Sequence, residues 1–143
     1  MDKNPILTKS LAIIATVVLW FPLAVMVGMS IAHLIGTGKI LMDYLIPGEL
    51  FFVVAAGALL LLWAAIRARR FIKPLVWGIV LGLLGLVASQ GTAMLTGIAT
   101  GEREPTGGLL ALVLGIYLVY VLAEIFLGIT GIRLWRSLPW KFS

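Results

Sequence analysis

Residues 109–132 read LLALVLGIYLVYVLAEIFLGITGI, and this run decides the fold class, with one acid, no base and no proline in 24 positions. An α-helix rises about 1.5 Å per residue, so about 20 apolar residues cross the hydrocarbon core of a bilayer. Inside hydrocarbon a helix satisfies its own backbone groups, whereas a barrel strand alternates lipid-facing apolar and lumen-facing polar positions. The run does not alternate. Three further segments have the same character, at about 11–35, 50–66 and 75–99.

Four spans predict an all-α polytopic membrane protein, a bundle of transmembrane helices forming one domain over residues 1–143. Composition agrees: 62% of residues are apolar and 12% charged, too few charges to cover a surface in water. The mean hydropathy is +1.13. Gly36-Thr37-Gly38 closes the first span, and Pro47 opens the second. Arg67, Arg69, Arg70, Lys73 and Pro74 separate the second from the third, and residues 100–108 separate the third from the fourth. Residues 39–46 alternate enough to lie along the outer interface. The first segment also has the basic start of a signal peptide, but its apolar run exceeds the usual 7–15 residues or so of such a core. A retained span is expected.

Basic residues fix the expected orientation. Lys3, Lys9, Arg67, Arg69, Arg70, Lys73, Arg133, Arg136 and Lys141 share one side, nine of the eleven, leaving Lys39 and Arg103 on the other. The positive-inside rule then places both termini in the cytoplasm of a multi-pass protein of the cell membrane. Trp63, Trp77, Trp135 and Trp140 fall at the same boundary, as an aromatic belt requires. The net charge of +5 is thereby explained without nucleic acid. The basic run Arg67-Ala68-Arg69-Arg70 also suits a lipid headgroup or a phosphate, although orientation alone accounts for it. Ile-Arg-x-x-Arg recurs at 66–70 and 132–136, which two arginine-rich helix ends produce without duplication.

Lipid offers helices no hydrophobic drive to associate, so close approach over small residues matters more. Gly78, Gly82, Gly85 and Ser89 make one such stripe on the third span, suited to packing within the bundle or to a homodimer seam. A lesser stripe on the first span comprises Ala24, Gly28 and Ala32, and Pro22 is expected to kink that helix.

Glu124 is the residue with the most chemical content. It lies roughly 13 Å along the helix axis from Arg133, at a depth where a charged side chain costs about 2.5 kcal/mol or more to insert. It should therefore face protein or a water-filled cavity. One expectation is a proton- or cation-coupling site with Tyr120 and Gln90 as neighbours. The other is a neutral carboxyl that hydrogen-bonds another helix at Ser89 or Gln90. No second acid lies within a span, where a relay would show several, so the structural role is preferred.

Several chemistries are excluded. The chain has no cysteine, which removes disulfide, thiolate and thiol-redox sites. One histidine cannot supply paired axial haem ligands. His33, Asp43, Glu49, Glu102 and Glu104 gather at the outer ends, but their spacing matches no metal signature. No cofactor and no enzymatic activity are expected. The expected function is a non-enzymatic subunit or scaffold of a membrane complex or homo-oligomer, with the bilayer and other membrane subunits as partners. A small proton- or cation-coupled transporter using Glu124 is the alternative, and a lipid-modifying site at the outer mouth comes third.

Overall fold

The computed structural model describes residues 4–38, 50–97 and 107–140. It holds four helices in chain order: α1, Pro5–Thr37; α2, Leu50–Ala68; α3, Ile72–Leu95; and α4, Gly107–Ser137. All four are long and apolar enough to cross a membrane, and no strand occurs among the described residues. Among the described residues their large apolar side chains are more often exposed than buried: Phe52 is 74% exposed, Val87 68% and Ile35 81%. Such a surface is unfavourable in water and carries no penalty in lipid.

The helix ends follow from local chemistry. Pro5 opens α1, where a missing N–H is no loss. Gly38 closes it in the left-handed conformation, φ +67°, with its N–H donating to Leu34 O at 2.9 Å. Pro22 lies inside α1 and is buried. The helix begins six residues before the span read from hydropathy, because Thr8 and Lys9 are buried rather than solvated. Arg67, Lys73 and Pro74 belong to helices and not to a connecting loop. Pro74 is accommodated in the first turn of α3, where backbone N–H groups have no helical acceptor. α3 ends at Leu95, short of the expected 99, and α4 runs past 132 to Ser137.

Only residues 69–71 join α2 to α3. Arg69 N–H donates to Ile66 O at 3.2 Å and Arg70 N–H to Ala65 O at 3.1 Å, a Schellman closure of α2. That closure puts Arg69 at φ +53°, and Phe71 follows at φ +58°, so two residues with side chains occupy glycine's conformation. The left-handed region costs a side-chain-bearing residue about 1–2 kcal/mol. Arg69→Gly should therefore raise stability by about 1 kcal/mol, read as a higher unfolding midpoint in detergent.

Two compact units share the chain. Met1–Ile72 with Gly128–Ser143 form the first, and Lys73–Leu127 form the second. In the first, α1 and α2 meet over Gly57, where an added Cβ would stand 3.1 Å from both Leu19 and Val18 side chains. The last third of α4 joins them over two glycines: a Cβ on Gly128 would meet the Trp20 ring at 2.7 Å, and one on Gly131 would meet Thr16 Oγ1 and Leu61. Leu19, Leu61, Ala64, Ala65 and Leu134 form the core there.

Candidate functional site

In the second unit α3 and α4 run antiparallel, and their register is set by the small residues of α3. Gly78 lies opposite Phe126 and Leu127, Gly82 opposite Ala123, and Gly85 against the backbone of Tyr120. At Gly85 an added Cβ would come 2.9 Å from Tyr120 N, so the two backbones touch. Gly78, Gly82, Gly85 and Ser89 are all buried, and α4 covers the three glycines.

Glu124 stands on α4 within this unit and is only 4% exposed. Its Oε1 is buried and has no hydrogen-bond partner. Tyr120, one turn away, is buried as well, and its ring lies 5.6 Å from that of Tyr117. Glu124 is the single Asp or Glu among the described residues, so no second carboxylate shares its surroundings there. Two polar atoms buried without partners, Glu124 Oε1 and Ser89 Oγ, thus occur in one helix pair.

The expected bond between Glu124 and Ser89 is not made. The register explains this: Gly85 already pairs with Tyr120, and Ser89 lies a further turn along α3, away from the level of Glu124. Gln90 is beyond Ser89 in the same direction and is half-buried, so it is not drawn to the carboxyl either. An apolar groove of about 230 Å³ does open on this pair, lined by Gly78, Leu81, Val119, Leu122, Ala123 and Phe126. Glu124 does not line it.

The residues expected at the outer ends offer little. His33 Nε2 is 2.9 Å from Thr37 Oγ1, a contact between successive turns of α1. Asp43, Glu49, Glu102 and Glu104, together with the stretch 39–46 expected along the interface, lie outside the described residues. Among the described residues no group of three potential metal ligands occurs.

At the opposite end, the start of α1 and the ends of α2 and α4 converge in the first unit. Lys9 is 4% exposed, and its Nζ donates to Leu138 O at 2.8 Å while lying 4.2 Å from the centre of the Trp140 ring. Arg70 Nη1 donates to Ser137 O at 3.1 Å, and Arg67 Nε donates to Thr8 Oγ1 at 3.1 Å. The last carbonyls of a helix lack internal donors and carry partial negative charge, so two cations stabilise them well. Sequence reading assigned Lys9 to orientation alone. Its place in the row Lys9, Ala12, Thr16 and Leu19, at helical spacing on a buried face, was the available signal for more.

The first-span stripe is found in the open. Ala24, Gly28 and Ala32 are exposed, and Gly36 extends the row by another turn. Among the described residues, no atom outside the helix's own local backbone lies within 4 Å of a Cβ placed on Gly28 or Gly36. Compared with known protein families, with curated proteins and with solved structures, the chain gives no match.

Proposed function

We propose that this chain is a non-enzymatic integral membrane subunit or scaffold, a four-span protein of the cell membrane with both termini in the cytoplasm. The observation that carries this reading is the row Ala24, Gly28, Ala32 and Gly36 on α1, which none of the described residues covers. Small residues four apart let another helix approach to backbone contact, and the close packing this allows is one of the forces that associate helices in lipid. The comparable stripe of α3 is already covered by α4, so α1 rather than α3 is the face left for a second copy or another subunit.

Gly28→Leu should block that approach and weaken assembly by about tenfold or more, roughly 1.4 kcal/mol. Gly115→Leu is the control, an exposed glycine with no neighbour within 4 Å outside the row. Native mass spectrometry after mild extraction reads both. A defined oligomer or stoichiometric partner, lost in Gly28→Leu and kept in Gly115→Leu, supports the proposal. A lone monomer under all mild conditions sinks it.

A second reading is a small proton- or cation-coupled transporter, favoured by the unpartnered buried oxygen of Glu124. Intramembrane acids are costly and commonly mark ion pathways. Tyr120 is the neighbour on the same helix, and Gln90 would have to be brought in by movement or through water. Purified protein in liposomes should then move substrate under a pH gradient, and Glu124→Gln should stop it. Unchanged flux in that variant removes the reading.

A further inference from the structure

The second candidate surface is the basic end of the first unit. Arg69, Arg70, Arg133 and Arg136 are exposed there, and Lys9 and Arg67 lie behind them. Lys9 and Arg70 already answer the carbonyls of Leu138 and Ser137, so the negative end of α4 is neutralised from within. Arg70 is anchored to Ser137 O, which ties the end of α2, with Arg69 and Arg70 at its close, to the end of α4, which carries Arg133 and Arg136. Arg136 follows Arg133 by three residues and is exposed like it. The Schellman turn holds Arg69 outside α2 at φ +53°. Beside them Trp140 is 61% exposed, with its ring against Lys9 Nζ. Among the described residues this unit contains no Asp or Glu.

We propose that Arg69, Arg133 and Arg136 form a site for the phosphate group of an anionic phospholipid, with Trp140 seated at the headgroup level. Arginine is suited to phosphate because its planar fork gives two parallel charge-assisted hydrogen bonds. Orientation during insertion requires basic residues anywhere near the helix ends. It does not require the arginine-bearing ends of two helices to be tied together, nor the internal neutralisation of α4 that leaves the exposed guanidinium groups without an anion among the described residues. A tryptophan at the same level fits a lipid interface better than open water. The proposal is independent of whether the chain serves as a subunit or a transporter.

The test uses full-length purified protein, delipidated in detergent and refilled with phosphatidylglycerol or phosphatidylcholine. Native mass spectrometry should show phosphatidylglycerol retained at least tenfold over phosphatidylcholine, and thermal unfolding should shift upward with the anionic lipid alone. In the variant Arg69→Gln/Arg133→Gln/Arg136→Gln the preference should fall to near unity. Should that variant fail to fold, Arg133→Gln alone should reduce the preference several-fold, and ~0.5 M salt should collapse it in the wild type. Inorganic phosphate at millimolar concentration separates the sources. Protection by phosphate equal to that by phosphatidylglycerol assigns the same guanidinium chemistry to a soluble anion, while no protection assigns it to lipid. Equal retention of the two lipids, or an unchanged preference in a folded variant, overturns the proposal.

Discussion

Glu124→Leu should make the protein more stable. A buried polar atom without a partner costs about 1–3 kcal/mol, and Glu124 Oε1 is such an atom. Leucine is close in volume, favours the helix and is at home at this depth. A gain of about 1–3 kcal/mol is expected, measured as resistance to unfolding when a denaturing detergent is titrated into mixed micelles. Glu124→Gln keeps a polar head in the same place and should change stability little. Destabilisation by leucine would mean that the carboxyl is satisfied after all, by a bound ion, a water or another subunit. Combined with a flux assay, the leucine variant is most informative. A chain that becomes more stable and loses an activity holds its acid for that activity, at a cost to the fold.

Gly85→Ala and Gly82→Ala should have opposite signs although the two glycines share one face. At Gly85 the new methyl group would come within 2.9 Å of Tyr120 N, and a backbone atom cannot rotate aside. The α3–α4 pair must separate, at about 1–3 kcal/mol for an overpacked site. At Gly82 the nearest atom is Ala123 Cβ at 3.7 Å, an ordinary contact. Here alanine gains up to about 1 kcal/mol of helix propensity without a clash. Thermal unfolding of the two variants side by side checks this. A stable Gly85→Ala protein would refute the close approach at Tyr120.

Hydropathy made the four helices legible because each window is strongly apolar, and their existence does not depend on partners. Their ends were less legible. Lys9 read as an orienting charge ahead of the first span, but an acceptor at Leu138 lets the helix extend through it. No local pattern reports a partner so far away in sequence. The small-residue stripes illustrate the same limit. Both were visible as spacing, yet α4 covers the one on α3 while none of the described residues covers the one on α1. Glu124 was legible as a costly residue. Its proposed bond to Ser89 failed because the register of α3 on α4 depends on where Gly85 meets Tyr120, which is a matter of shape and not of composition.

The tie between Lys9 and Leu138 has a consequence for biosynthesis. The first helix emerges from the ribosome carrying an ammonium group whose acceptor is the carbonyl of a residue made 129 positions later. Until that residue appears, α1 has to keep Lys9 near the membrane surface, where water can serve in its place. Final seating of α1 is thereby deferred until α4 has been made. A chain cut short before Leu138 would retain all four hydrophobic segments and still leave Lys9 without this acceptor.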